Sequence, residues 1–373
     1  MTPEISTVDV LQLASGDRLQ IQIYQFKGAQ PGKKAYLQAN LHGAEIVGNA
    51  VIERLIQFLG TLTAEQLVGE IWLVPACNPV STNQRSHFFS TGRYNSYDGK
   101  DWNRIWDYEA GDIQTFAQAH LDLDPEEIRT RYLSQLKGIF QQQLADIQRP
   151  SSVEYGQYFR FQLQSLCLDA NYVIDLHSSS NHGIDYLYCF HSREASAPYL
   201  LLEYGILMKE YDGISFDEAF MKPWLELEAQ FAQLGHPVRF DVESWTLELG
   251  TGMQLNPISV DKGVAGIKNY LIYKGMLAIA DSHPLASTAI TLVEKSRLKK
   301  YYAPTGGMIQ HRVPLRKTVQ AGEKLYQILR FSLGQLPIVV DVCAEQDGLV
   351  YDVSTNEAVN QGEYVLSMMN ARN

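Results

Sequence analysis

A short buried-strand pattern, Ala35-Tyr36-Leu37-Gln38-Ala39, runs straight into Asn40-Leu41-His42-Gly43-Ala44-Glu45. A helical period follows between Ile46 and Leu59, carried by Val47, Val51, Leu55, Phe58 and Leu59. This strand–turn–helix unit constrains the fold most, because it is one of a series. Leu19 to Ile23 alternates as a strand with one solvated face does, and Gly28 to Lys34 reads as a turn-rich connection. Ile71 to Ala76 and Tyr172 to His177 are further short apolar runs, and Asp185 to Phe190 is another strand. Helical segments lie between them. One opens at Asp124-Pro125-Glu126-Glu127, with a cap, a proline and an acidic first turn in order, and runs towards Gln148. Another precedes Leu168, and Ala195 to Tyr211, Phe216 to Leu234 and Val260 to Ala280 read as helices. Val238 to Leu249 reads as a strand pair or one long bent strand. Such alternation implies an α/β fold, a mixed, mostly parallel sheet covered by helices on both faces.

The pattern changes around His283-Pro284. From Val293 onwards the strands are short, the turns carry glycine, and no helix is indicated. Two sub-segments echo each other. Ala321-Gly322-Glu323-Lys324-Leu325 is matched by Gln361-Gly362-Glu363-Tyr364-Val365, and Thr305-Gly306-Gly307-Met308 by Gln346-Asp347-Gly348-Leu349, at offsets of 40 and 41 residues. A two-fold repeat of short strands points to a small β-sandwich or barrel. The expected division is therefore a catalytic domain over residues 1–290 and an all-β domain over 291–373. A chain of 373 residues is also longer than one core usually holds.

A net charge of −11 argues against nucleic acid and anionic membrane surfaces as partners. It leaves room for a small anionic substrate, because a few arginines can set the potential of one pocket. The amino terminus, Met1-Thr2-Pro3-Glu4, has neither the basic stretch nor the apolar run of a targeting peptide. No segment approaches the ~18 apolar residues of a membrane span. Cys77, Cys167, Cys189 and Cys343 are far apart and form no C-x-x-C pair, as in a reduced cytoplasmic protein.

The chemistry gathers at strand ends. His42 and Glu45 follow the first strand, His177 ends a second, and Glu248 sits near the end of a third between Leu247 and Leu249. Open α/β sheets hold ligands at that edge. Two histidines and one carboxylate leave the fourth position of a tetrahedral zinc open, as a catalytic site requires. A further glutamate beside it suits general base and proton shuttle. A buried carboxylate without a partner is costly, so Glu248 calls for a function or a partner. The polar stretch Ser81 to Lys100 is too long for an idle connector. After it comes Asp101-Trp102-Asn103-Arg104, whose amide and guanidinium suit a carboxylate.

Taken in order, His42 to Glu45 as H-G-x-E, Asn78-Pro79, Arg93, Asp98-Gly99, Asp101-Trp102-Asn103-Arg104, Asp175-Leu176-His177 and Glu248-Leu249-Gly250 resemble the succinylglutamate desuccinylase/aspartoacylase family of zinc carboxypeptidase-like hydrolases. The resemblance spans residues 35 to 280. The carboxy-terminal repeat resembles the family's β-domain, which is similar in shape to biotinyl/lipoyl carriers. No Met-Lys-Met stands here, so a cap or assembly element is expected rather than a carrier.

The resemblance implies one zinc per chain held by His42, Glu45 and His177, with Glu248 activating water. It also implies Arg93 polarising the amide carbonyl, and Asn103 with Arg104 holding a substrate carboxylate. Two positions depart from the family pattern. Trp102 stands where leucine is usual, and the longer interval after Asn78-Pro79 makes Arg85 a rival for the role of Arg93. The expected activity is deacylation of a small N-acyl amino acid or related carboxylate, with a homo-oligomer left open. A metallocarboxypeptidase acting on peptides and a catalytically silent binding protein of the same fold are the alternatives. A β-domain crowding the cleft would favour the deacylase, and an open groove the peptidase.

Overall fold

The computed structural model describes residues 1–87, 90–149, 153–279, 283–285 and 290–370. In chain order the first strands are β1 (Glu4–Gln12), β2 (Arg18–Lys27), β3 (Gln30–Ala39), β4 (Val68–Val74), β5 (Tyr172–Ser179) and β6 (His182–Gly183). After them come β7 (Asp185–Phe190), β8 (Tyr204–Met208), β9 (Glu243–Thr251) and β10 (Thr291–Glu294). The helices are α1 (Val47–Gly60), α2 (Pro79–Asn83), α3 (Ile113–Ala119), α4 (Pro125–Ile147), α5 (Tyr155–Cys167), α6 (Phe216–Gln233) and α7 (Pro257–Tyr273). Among the described residues all these strands but β6 form one nine-stranded sheet, ordered β1-β2-β4-β3-β5-β9-β7-β8-β10. Its centre, β4-β3-β5-β9, is parallel; β2 joins β4, and β7 joins β9, antiparallel. This is the mixed, mostly parallel α/β architecture that the alternation of strands and helices implies.

The two-residue period of a strand decides what each face carries. On β5, Tyr172, Ile174 and Leu176 enter a core shared with α1 and α7, and on β9 Trp245, Leu247 and Leu249 enter the same core. Val173 faces the opposite layer, packed with residues of α4, α5 and α6. Asp175, His177, Thr246 and Glu248 therefore share that second face. The leucines flanking Glu248 are the buried half of an alternation whose other half is chemical.

Several local expectations hold. Asp124 caps α4, its carboxylate accepting from the Glu126 and Glu127 N–H groups. Others are corrected. The turn-rich reading of Gly28 to Lys34 gives way to strand, because β3 already begins at Gln30 and pairs there with Val68. The helix expected over Ala195 to Tyr211 is a single 3-10 stretch, Glu194–Leu200, followed by β8. Pro198 removes a donor, Leu201 turns left-handed at φ 56°, and the next residues find a ladder between β7 and β10. Of Val238 to Leu249 only Glu243 onwards is strand. The last helix ends at Tyr273, before Gly275 at φ 70°, and Ala280 lies outside the described residues.

The remaining strands are β11 (Leu298–Tyr302), β12 (Gly307–Gln310), β13 (Thr318–Val319), β14 (Lys324–Arg330), β15 (Ile338–Cys343), β16 (Gly348–Val353), β17 (Ala358–Val359) and β18 (Tyr364–Met369). The sequence repeat is visible in them, since β12, β13 and β14 recur as β16, β17 and β18 at offsets of 40 or 41 residues. The two halves exchange their short strands. β13 pairs with β16 and β17 with β12, giving one sheet ordered β11-β18-β16-β13 and another ordered β15-β14-β12-β17. Their inner faces share an apolar core built on Val319, Leu325, Ile328, Val350, Val365 and Met368.

Two features tie this part to the large sheet. β10 pairs with β8, and β16 pairs with β6, which leaves the end of β5. Ile184, Tyr186 and Ile206 also pack against Val293, Tyr351 and Met369. Ending the chain at residue 290 should therefore uncover that apolar face and leave β8 as an unpaired edge, a template for aggregation. The expected result is insoluble protein, read as the soluble fraction on expression. A truncated chain that stays monomeric and soluble would contradict it.

Candidate functional site

The turn after β3 is built by its own side chains. Asn40 adopts a left-handed conformation, φ 69°, and its Nδ2 donates to the carbonyls of His42 and Gly43. Asn78 Nδ2 donates to the Leu41 carbonyl while Asn78 Oδ1 caps α2 at the Ser81 N–H. Gly43 is required by this packing, because a Cβ there would stand 2.2 Å from the Ser81 carbonyl oxygen. The turn aims His42 and Glu45 across the end of the sheet towards His177 on β5.

Ligand atoms of His42, Glu45 and His177 lie within 4.8 Å of one another. All three side chains are buried. His42 Nδ1 is 3.0 Å from Glu45 Oε1 and His177 Nδ1 is 2.8 Å from Glu45 Oε2. Each ring's far nitrogen meets a carboxylate, Asp101 Oδ1 at 2.9 Å from His42 Nε2 and Asp175 Oδ2 at 2.8 Å from His177 Nε2. Such partners fix a metal-binding imidazole's tautomer and raise its basicity. Asp175 is held in turn by Gln38 Nε2, and Gln38 by the Tyr36 hydroxyl. Two imidazole nitrogens and a carboxylate oxygen, braced from behind and facing one another, fit a divalent cation of the zinc type. Burial alone would raise the Glu45 carboxyl, but the two imidazoles overcome it and hold it well below the usual range. Asp101, despite its burial, is pulled down to about 2 by the His42 hydrogen bond and the Arg93 charge.

Glu248 lies beside this cluster, paired in register with His177 on one side and Tyr186 on the other. Its Oε2 is buried without a hydrogen-bond partner among the described residues. Burial, with the Glu45 carboxylate nearby, pushes its carboxyl up to about 7. A proton acceptor poised near neutrality is what general base chemistry needs.

His42, Glu45, His177 and Glu248 line a cavity of about 830 Å³. Arg93 is in its wall, its Nε 2.9 Å from Asp101 Oδ2 and its Nη1 3.3 Å from Ser180 Oγ. Asn103 and Arg104 line it as well. Asn103 Oδ1 accepts from the Phe216 N–H at the start of α6. Arg104 is exposed, and its Nη1 donates to the Asn103 carbonyl. Arg85 is exposed, donates to the Gln84 carbonyl and is not among the cavity-lining residues. Trp102 points away into the core, edge-on to Phe159 and Tyr155.

Sequence reasoning assigned no role to Asp101 and Asp175, although Asp175 lies two residues before His177 on one strand face and could have been found by that spacing. It also missed the remoter wall. Asp217 and Glu218 enter from α6, Tyr186 and Tyr188 from β7, and Lys300, Tyr351, Asp352 and Tyr364 from the carboxy-terminal sheets. No local pattern brings these together. Glu218, pushed up to about 7 by burial and the neighbouring Asp212, accepts from the Asp212 and Gly213 N–H groups. Its folded pKa lies above that of an unfolded glutamate, so the stability it contributes is present in acid and lost as pH rises towards 7. Glu218→Gln is therefore expected to gain stability relative to wild type between about pH 4.5 and 7, as read by denaturant midpoints. A difference independent of pH would contradict this.

Residues 31–149 match the model of the succinylglutamate desuccinylase/aspartoacylase catalytic domain. The whole chain superposes on a solved family protein of this name from Shewanella frigidimarina with a TM-score of 0.90 at 29% identity, covering 99% of this chain and 98% of the other. A second, from Shewanella amazonensis, gives a TM-score of 0.88 at 28% identity, covering 98% of each chain. A third, from Rhodobacter sphaeroides, shares the fold with a TM-score of 0.67 at 16% identity, covering 100% of this chain and 97% of the other. No curated protein matches the chain.

Proposed function

For this chain, a relative in sequence and fold of the succinylglutamate desuccinylase/aspartoacylase hydrolases, we propose a zinc-dependent deacylase that cleaves the amide of a small N-acyl amino acid or related carboxylate. The observation that carries the reading is the convergence of His42, Glu45 and His177 beside the unpartnered, buried Oε2 of Glu248 in one cavity. A single zinc held by the three ligands supplies Lewis-acid polarisation and lowers the pKa of water. Asp101 and Asp175 keep the imidazoles turned inward. Glu248 Oε2 takes a proton from the attacking water and passes it to the departing nitrogen, and the second water proton follows, so amide and water become carboxylate and ammonium. Arg93 donates to the oxygen that gains negative charge. Asn103 and Arg104 meet the substrate carboxylate, with Lys295 and Lys300 adding positive charge to the wall.

The carboxy-terminal residues in that wall favour a small substrate over a peptide. A cytoplasmic setting fits four unpaired cysteines, and no helix among the described residues is long and apolar enough to cross a membrane. The test is a screen of N-acyl amino acids and short peptides with zinc-loaded protein, following amine release. Turnover of peptides but not of N-acyl amino acids would favour the carboxypeptidase, and binding without turnover the silent protein.

Arg93→Ala is expected to lower kcat by about 10²–10³-fold, the loss typical of an oxyanion donor. Arg85→Ala is expected to stay within a few-fold of wild type. The reverse ranking in steady-state kinetics would transfer the role to Arg85.

A further inference from the structure

The end of β5 runs on through Ser178, Ser179, Ser180 and Asn181 before β6 begins. Two of these residues grip Glu45 from opposite sides. The Ser178 N–H lies 3.3 Å from Oε2, and the Ser180 hydroxyl donates to Oε1 at 3.2 Å while accepting from Arg93 Nη1. The residue between them turns the other way. Ser179 Oγ donates to Asp352 Oδ2 on β16, and its carbonyl accepts from the Gly252 N–H at 2.7 Å. Asp352 is buried, 8% exposed. It is surrounded by donors, with Asn181 Nδ2 at 3.4 Å and the Tyr364 hydroxyl at 2.5 Å from Oδ1, and the Lys300 charge acts on it as well. Asp352 and Val353 also pair through the backbone with Gly183 and His182 of β6.

A carboxylate taken out of water this far needs its acceptor positions filled. Here the filling groups come from both sides of the junction, Ser179 and Asn181 from the strand end and Tyr364 from β18. Side and main chain of Ser179 are thus fixed at once. Its two neighbours have little freedom to leave Glu45.

We infer that Asp352 is a positioning residue for the metal centre: by anchoring Ser179 it holds the Ser178 N–H and the Ser180 hydroxyl on the two oxygens of Glu45. The carboxy-terminal sheets are then part of the centre's support, beyond walling the cavity. The inference rests on reading His42, Glu45 and His177 as metal ligands. It needs no assumption about substrate. Outer partners of metal ligands typically contribute 10–100-fold in metal affinity or activity.

The test is a titration of metal-free, full-length protein with Co²⁺, recording affinity and the visible ligand-field bands. Thermal unfolding of each variant accompanies it. Asp352→Asn keeps the size but puts a donor among donors, and Ser179→Ala removes a single hydroxyl. Each is expected to weaken Co²⁺ binding by about 10–100-fold and to shift the bands. Arg316→Ala breaks a separate ion pair between the carboxy-terminal part and Glu203, and is expected to change neither reading.

Wild-type affinity and spectrum in both Asp352→Asn and Ser179→Ala would overturn the inference. So would an equal loss in Arg316→Ala, which would reduce the effect to docking of the two parts. Should Asp352→Asn fail to fold, Ser179→Ala decides alone. A wild-type protein that binds no Co²⁺ would remove the metal reading itself and this inference with it. Equal binding by wild type and both variants would remove only the inference.

Discussion

Glu248→Gln is expected to lower kcat by about 10²–10⁴-fold, the contribution of a general acid–base group, while metal content and substrate affinity stay close to wild type. The amide keeps the size of the side chain but cannot accept a proton. Glu248 sits one strand away from His177, with an oxygen that has no hydrogen-bond partner among the described residues and a carboxyl raised to about 7, the place and proton affinity that the proposed task calls for. Removing its charge should also relieve repulsion with Glu45, so the variant is expected to fold at least as stably as wild type. Three measurements on one preparation settle the assignment: elemental analysis, turnover and substrate affinity by equilibrium binding. Metal lost together with activity would make Glu248 a ligand, and activity within a few-fold of wild type would place the base elsewhere.

Chelation of the wild-type protein is expected to abolish activity, and re-addition of zinc to restore it. His177→Ala is expected to bring bound metal from about one per chain to near zero, because three protein ligands are the minimum for a catalytic zinc site. Turnover should fall to background. His177→Ala also leaves Asp175, fully buried, without its imidazole partner, and an orphaned buried acceptor costs about 1–3 kcal/mol or more. A lower unfolding temperature should therefore accompany the loss, and thermal melts will separate a folded metal-free variant from an unfolded one. Full activity in wild-type protein shown by elemental analysis to lack transition metal would sink the zinc reading.

Much of this protein is legible in its sequence, because local periodicity and local turn chemistry act over a few residues. The strand leading to His42, the strands bearing His177 and Glu248, the capped helix after Asp124, the α/β layering and the repeat in the last third all follow from spacing. The two-residue alternation even explains why Glu248 stands between two leucines. Where a neighbour's ladder outweighed propensity, as at β8 with Pro198 before it, the local reading named a helix and the sheet made a strand. The exchange of β13 and β17 between the two halves is likewise a matter of pairing across distance, which no local pattern encodes.

The site divides along the same line. The ordered motifs single out His42, Glu45, His177 and Glu248 as candidates, and the fold brings all four to one cavity. Only the tertiary structure sets Arg93 rather than Arg85 in the cavity wall, brings Asp101 behind His42, and carries Asp352 from the far end of the chain to the serine segment beside Glu45. Hydrogen bonds between residues 59 and 173 positions apart depend on how sheets and loops pack, and that packing is decided by the whole buried surface at once rather than by any stretch of sequence.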